Sequence, residues 1–541
     1  SRTYLPSPFA IVAGGDGPRL GGAQGLRLGG AQGCWGFHVR TSRRCWFDVG
    51  ATNDDRLVVD VALSHVAPEH SPRVEVAIYG GAPAEVLAAH LDEIGRPALP
   101  PPWVFRPWMS GNEWNTQARV LAEVERSIKL GIPVGVVVIE AWSDESTFAA
   151  FDHGRFPDPT AMVERLHELG VKVLLWQIPL VPTDRDPDGQ VAIDAATMIE
   201  RGYCVHDDDG SPYRNRGWWF PGALLVDWTN RDAADWWLAK RRYLLDDVGV
   251  DGFKTDGGEH AWGDELRYHD GSRGDVSNNR YPLWYALQYR RLLAECGVDG
   301  VTFSRAGFTG AGSAPCHWAG DESSTWEAFR SSIVAGLTAG ISGIPFWGWD
   351  LAGFSGEVPS VELYVRAVAM AALCPIMQYH SEFNHHRQPC IDRTPWNIAE
   401  RHGDERALTI YRRFAELRER LQPWLVRWAE QSVATAVPLM RPLWFDDATD
   451  PGSWEAPYQY RFGPDLVVAP VCWPGRNELD VYLPDGEWVD VWSGERFAGR
   501  ATVRRETPWE VIPVYARVGA TGLIATLGAR SSVAGSSTRD G

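Results

Sequence analysis

Between Trp103 and about Gln422 the chain alternates short apolar runs with amphipathic stretches, a pattern that few folds accept. The apolar runs include Val134–Ile139, Val171–Trp176, Val250–Thr255, Val301–Phe303 and Ile344–Trp347. Helical periodicity lies between them, over Gln117–Leu130, Ala161–Leu169, Ala233–Leu245 and Leu283–Glu295. Strand and helix in repeated alternation predict a parallel sheet, and this many units favour a closed barrel. The rival is an open doubly wound sheet, but no GxGxxG follows the first strand. The expected fold class is therefore α/β, a (β/α)₈ TIM barrel flanked by N-terminal and C-terminal β-sandwich domains.

Boundaries follow from changes of pattern. Residues 1–100 read as β-rich, with alternating runs at Leu57–Leu63 and Val74–Ile78. Within them RLGGAQG occurs at Arg19–Gly25 and again at Arg27–Gly33, a Gly-rich loop lengthened by local duplication, with no function assigned. The stretch Pro97-Ala98-Leu99-Pro100-Pro101-Pro102 marks the first boundary. The barrel is expected over 101–424, and a C-terminal β-sandwich over 425–525 with strands at Leu466–Val471, Leu479–Leu483 and Val511–Ala516. Residues 526–541 end in the Ser/Gly-rich Ser531–Gly541 and are expected to be disordered. Ser1–Gly15 lacks the basic-then-apolar layout of a signal peptide, and the chain does not open on Met, so its natural N-terminus is expected upstream.

Composition excludes some functions and suggests one. A formal charge of −18 is wrong for a partner with a phosphate backbone, so no nucleic acid is expected. No run of about 20 apolar residues exists, so no membrane span is expected. The eight cysteines are scattered without a CxxC pair. Read as buried thiols they fit a reducing, cytoplasmic setting. Trp stands out at 27 residues, and aromatic faces stack on the apolar faces of sugar rings; filling a large core is the plainer explanation. Homo-oligomerisation stays open.

In a barrel of this kind the reactive groups follow the C-terminal ends of the strands. Glu140 follows GVVVI, Asp256 and Glu259 follow DGFKT, and Arg305 follows VTFS. Asp321 follows CHWAG, Asp350 follows IPFWGW and His380 follows IMQY. Any one of these carboxylates alone reads as the N-cap of the next helix. Together with Lys254, Arg305 and His380 they read as a sugar site. Glycosidic cleavage needs two carboxyl groups, one to attack C1 and one, kept protonated, to donate to the leaving oxygen. Lys254 near Asp256 would favour an ionised nucleophile, and Trp318 and Trp326 near Asp321 would raise an acid.

At these residues the chain resembles glycoside hydrolase family 31. Val250-Asp251-Gly252-Phe253-Lys254-Thr255-Asp256-Gly257-Gly258-Glu259 is similar to the family's nucleophile motif. Phe303-Ser304-Arg305 through His317-Trp318-Ala319-Gly320-Asp321 resembles its acid/base motif, and Gly343–Phe354 the barrel strand that follows. His380, with Arg387 after it, matches the family's sugar-hydroxyl-binding His. Phe156-Pro157-Asp158-Pro159, Gly170–Trp176 and Asp227-Trp228-Thr229-Asn230 match upstream segments in the same order. The resemblance covers about residues 90 to 520. It implies a retaining, exo-acting α-glycosidase that needs no metal or cofactor, with Asp256 as nucleophile and Asp321 as general acid/base. By the same resemblance Glu140, Arg305, Asp350 and His380, with Lys254 and Trp318, would bind the sugar of a glycoside or oligosaccharide. Trp176, Phe220 and Phe354 would wall it.

The chain also departs from the pattern. Glu140 stands where an Asp is commoner, Gly257 where Phe or Met is usual, which would widen the pocket floor, and Trp349 precedes Asp350 in place of His. Lys254 is closer to the xylosidase-type branch than to the glucosidase type. α-Glucoside, α-xyloside and α-galactoside all remain open, because one pocket residue can decide between them. Transglycosidase or α-glucan lyase chemistry uses the same two Asp residues, and a non-catalytic carbohydrate-binding relative would keep the fold. A metal-dependent hydrolase has only His385-His386 and scattered Asp residues in its favour, without HxH or HExxH spacing.

Overall fold

The computed structural model describes residues 5–13, 19–20, 26–27, 34–53, 56–63, 73–143, 149–184, 189–382 and 390–528. Arg387, His385, His386, most of the RLGGAQG repeats and Ser531–Gly541 lie outside them.

Eight parallel strands form the central sheet: β1 (Trp108–Ser110), β2 (Val136–Ile139), β3 (Lys172–Gln177), β4 (Gly252–Thr255), β5 (Val301–Ser304), β6 (Cys316–Trp318), β7 (Phe346–Gly348) and β8 (Gln378–Tyr379). They pair in the order β7-β6-β5-β4-β3-β2-β1-β8. The ring closes between its two ends through a parallel bridge, Asp350 to Gln378, two residues beyond β7. The expected barrel is therefore present, and its closing contact carries a carboxylate.

The strands read as unbroken apolar runs because both faces are buried. Val136 and Val138, Leu174, Val301 and Phe303, Cys316 and Trp318, and Ile376 fill the barrel interior. Val137, Ile139, Val173 and Leu175 face the helical layer. With a period of two, the next inward positions are Glu140, Trp176, Arg305 and His380, one step past the interior hydrophobics. The pleat thus aims the polar residues named above into the barrel mouth.

The helices start where the sequence supplies caps. Thr116, Asp158, Asn230, Thr325 and Ser360 each accept from the first turn of the following helix. None of Glu140, Asp256, Asp321 or Asp350 is a cap, so the ordinary explanation for those carboxylates fails here. The helix expected over Ala233–Leu245 is two, Arg231–Ala239 and Arg242–Asp246. β1, β6 and β8 are two or three residues long, too short to show a period, and the sequence pattern does not announce them.

Before the barrel, Phe9–Val12, Trp35–Val39 and Val76–Gly80 form an antiparallel sheet. The helix Pro83–Ile94 packs on it. After the barrel, a six-stranded antiparallel sheet and the pair Glu478–Leu483/Ala501–Glu506 share a core of Leu443, Val467, Val481, Leu483, Trp488 and Tyr515. Between them runs Arg406–Thr435, which contains Pro423 and crosses residue 424, where the sequence pattern places the end of the barrel. The last described helix, Thr521–Gly528, extends past the expected start of the tail.

Arg418 on that long helix ties barrel and helix together. Its buried guanidinium donates to the carbonyls of Phe105 (2.6 Å), Ala372 (3.3 Å) and Pro375 (2.5 Å) and to that of Cys374, at the approaches to β1 and β8. Burial pushes its pKa down only to about 10, so it stays charged near neutrality. Arg418→Met should cost about 3 kcal/mol, because the carbonyls it serves would be left buried without a donor. A thermal melt checks this, and an unchanged Tm would show that the carbonyls find other partners.

Candidate active site

Asp256 follows β4 directly and is almost enclosed, at 8% exposure. Its Oδ2 accepts from Trp176 Nε1 at 2.7 Å, and its Oδ1 from the Gly257 amide at 2.7 Å. Arg305 Nε lies 3.3 Å from Oδ1. Two hydrogen-bond donors and one ion pair, from three strand ends, therefore fix the orientation of one carboxylate. Trp176, expected as a wall, also acts as one of these donors.

Arg305 is the hub. Besides Asp256 it pairs with Glu259 through Nη2 and with Asp321 Oδ2 through Nη1 at 3.5 Å. One guanidinium thus spans Asp256 and Asp321, which brings both within reach of a single sugar. The Asp321 side chain is 41% exposed to water, yet the surrounding walls desolvate it. That desolvation pushes its carboxyl above the usual range; Arg305 opposes the rise, and the charge of Asp256 adds to it. The rings of its sequence neighbours Trp318 and Trp326 have other partners as well. Trp318 packs inside the barrel against Phe303, and Trp326 against Phe329.

A second charge cluster closes the inner end. Lys254 Nζ donates to Glu140 Oε1 at 2.7 Å and lies 4.6 Å from the centre of the Trp318 ring. Burial alone would push the ammonium down, but Glu140, Asp350 and Asp256 together raise it, so Lys254 stays charged. Its direct partner is thus Glu140, and the strand-end cation that touches Asp256 is Arg305. Ser110 Oγ also donates to Glu140 Oε1 at 3.2 Å, and His380 Nε2 lies 3.4 Å from it. The longer Glu side chain is what carries this carboxylate to Lys254.

Asp350 is fully buried, with Oδ1 accepting from Gln378 Nε2 at 2.6 Å. Burial drives its carboxyl far above the usual range, against the pull of Lys254. His380 is driven the other way by burial and by Lys254, so it is neutral. Asp350 Oδ2 and His380 Nδ1 have no hydrogen-bond partner among the described residues. Buried polar atoms of this kind are unusual, and a sugar hydroxyl can satisfy them. Phe354 stacks on His380 at 4.9 Å, and its loop holds Ala352 at φ +63°. Phe220 is likewise at φ +52°, beside Trp219. Residues held in this region cluster at functional sites.

Two departures from the family pattern are now explained. Gly257 sits at φ +72°, and a Cβ there would come within 2.5 Å of the His260 ring. The space of a larger residue is filled by His260, so the expected wider floor is absent. His260 is buried and its pKa is pushed down to about 3 by that burial and by Arg305, which leaves it neutral. Trp349 faces away from the pocket, stacked on Phe329 at 5.4 Å. Trp219, His260, Ser110 and Gln378 were not found by sequence reasoning. Only Trp219 carried a signal, as part of the aromatic run Trp218-Trp219-Phe220.

Residues 97–427 match the family model for the glycosyl hydrolases family 31 TIM-barrel domain, and residues 436–521 that for the family 31 C-terminal domain. The chain is 52% identical over 538 residues to a 1,3-alpha-isomaltosidase of Kribbella flavida, covering 95% of this chain and 71% of that protein. It is 37% identical to an isomaltosyltransferase of Sporosarcina globispora, covering 82% of this chain and 42% of that protein. The solved structure of a cycloalternan-degrading enzyme from Trueperella pyogenes, in complex with a covalent intermediate, superposes with a TM-score of 0.90 at 49% identity. That match covers 96% of this chain and 72% of the solved one. The chain belongs to glycoside hydrolase family 31 and is an α-glycosidase.

Proposed function

We propose that the protein hydrolyses α-1,3 linkages at terminal isomaltosyl units of glucosaccharides, with retention, using Asp256 as nucleophile and Asp321 as general acid/base. The observation that carries the assignment is the Arg305 guanidinium lying between the two carboxylates, one nearly enclosed and held by two hydrogen bonds besides this ion pair, the other open at the pocket mouth. Retention and the isomaltosyl unit are supported by the covalent intermediate in the Trueperella pyogenes enzyme and by the name of the Kribbella flavida relative.

In the first step an Asp256 oxygen bonds to C1 as the glycosidic C1–O bond breaks. The Asp321 proton passes to the departing oxygen, leaving a glycosyl ester and an alcohol. In the second step the Asp321 carboxylate takes a proton from water, whose oxygen attacks C1 and releases Asp256. Asp321 ends protonated again. Positive charge developing at the ring lies beside the Asp256 carboxylate, and Trp176, Gly257 and Arg305 keep that group aligned. At the inner end Glu140, Lys254, Asp350 and His380 would bind sugar hydroxyls. The neutral imidazole of His380 can offer a donor as well as an acceptor. Eight free cysteines, several of them buried, support a cytoplasmic setting. No helix among the described residues is long and apolar enough to cross a membrane.

Asp256→Ala should abolish turnover of isomaltosyl-α-1,3-isomaltose, and near-normal activity would sink the nucleophile assignment. Asp321→Ala should slow that substrate by at least about a hundredfold, yet slow 4-nitrophenyl α-isomaltoside far less, because a good leaving group needs little protonation. NMR of the first-formed anomer should report retention. Free isomaltose is the expected product, and elongated saccharides in its place would make the protein a transferase.

The pH profile offers a separate check. Asp321 must begin protonated, and its carboxyl is raised, so kcat/KM should fall as pH climbs through that raised value. Asp321→Ala, assayed on the aryl glycoside, should lose this alkaline limb. An alkaline limb unchanged in the variant would assign it to another group.

A further inference from the structure

Trp218 is 87% exposed, while the loop that carries it is tightly held. Asn215 Nδ2 donates to the carbonyls of Trp219 (2.5 Å) and Phe220 (2.9 Å), and its Oδ1 accepts from the Gly217 amide at 3.0 Å. Arg216 donates to Glu265 and to the Trp262 carbonyl, both at 2.8 Å, and pairs with Asp207. Phe220 accepts a left-handed backbone to complete the turn. So much ordering is spent on a loop whose largest ring folding leaves in water.

Isolated apolar residues on a surface need no explanation, but this ring is not isolated. Trp218 lies nearly parallel to Trp219, at 6.2 Å and 22°. Trp219 in turn lies 6.2 Å from Trp176, the residue that donates to Asp256, and 4.7 Å from the Arg305 guanidinium. A continuous aromatic row therefore runs from the floor of the site to solvent. Glu140, Lys254, Asp350 and His380 at the inner end of the site are all buried, whereas Asp321 and Glu259 stand at the open mouth with side chains 41% and 30% exposed. Arg305 spans from Asp321 to the face of Trp219, so the row and the group that protonates the departing oxygen share one guanidinium.

We infer that Trp218, backed by Trp219, is a stacking platform for a pyranose of the leaving group, beyond the sugar bonded to the departing oxygen. A gluco-configured pyranose presents an axial C–H face that an indole ring covers, and the fixed loop spares the entropy of ordering the ring on binding. The inference rests on the proposed roles of Asp256 and Asp321, which set the leaving-group side. It identifies an oligosaccharide leaving group, as opposed to a simple aglycone, as the partner the site is built for.

Trp218→Ala should lower kcat/KM on isomaltosyl-α-1,3-isomaltose about five- to tenfold, mainly through KM. On 4-nitrophenyl α-isomaltoside, whose leaving group ends short of the platform, the change should stay under about twofold. Trp218→Tyr keeps a ring and should restore most of the loss, and both variants should melt like the wild type because the side chain is exposed. Equal losses on the two substrates, or no loss on the tetrasaccharide, would overturn the platform. Wild-type protein that cleaves neither compound would instead overturn the isomaltosyl reading. The ratio between isomaltotetraose and 4-nitrophenyl α-glucoside would then decide the platform by the same criteria.

Discussion

Five carboxyl groups converge on the mouth of this barrel, and two buried cations make that possible. Glu140, Asp256, Glu259, Asp321 and Asp350 come from different strand ends, and burying any of them uncompensated would cost several kcal/mol. Lys254 serves the inner end through Glu140, while Arg305 serves Asp256, Glu259 and Asp321. The ratio of acids to cations matters chemically. With fewer positive charges than carboxyls, burial and mutual repulsion push Asp350 and Asp321 above the usual carboxylate range, against the pull of the cations. Asp350 is the most enclosed and is driven furthest upward. Asp321 is raised while remaining reachable from solvent. One charge imbalance thus raises a buried carboxyl and an accessible one, and surroundings that differ in this way are the condition for two carboxyls to play different parts.

That cluster depends on the pleat of the barrel. Residues two apart on a strand share a face, so the same parity that sends Val136 and Val138 into the barrel interior sends Glu140 to its rim. The rule holds from Val301 and Phe303 to Arg305, and from Ile376 to His380. A one-residue slip would send each of these groups into the helical layer, where Trp349 sits. The barrel's closing bridge, Asp350 to Gln378, ties the final step of closure to a residue of the site.

How far the sequence could be read depended on the length over which each physical signal repeats. β2, β3, β4, β5 and β7 were legible as apolar runs because sheet and helices bury both of their faces. β1, β6 and β8, two or three residues each, are not announced by the sequence pattern. Yet the polar residues following β6 and β8, Asp321 and His380, were found through motifs that do not depend on the strand being recognised. The N-cap explanation for the acids failed because Thr, Ser, Asn and Asp residues further along already held the cap positions, and those were also on view in the sequence. What could not be read were contacts between distant segments. Nothing local says that His260 occupies the space above Gly257, that Trp176 donates to Asp256, or that Lys254 is paired to Glu140 in preference to Asp256.

The same distinction separates reaction from specificity. The residues placed around the reacting centre come from strand ends, whose direction the barrel fixes, and they carry strong sequence signatures. The residues that would distinguish one saccharide from another sit a layer further out, on the 215–222 loop and in the packing of His260 against Gly257. Gly257 illustrates the coupling: its missing side chain is not spare room for a larger sugar, because a neighbouring ring has taken the space. The local shape of the site is therefore set by pairs such as Gly257 with His260, or Trp218 with Trp219. A single one of these residues taken alone, however well it matches a motif, does not contain that geometry.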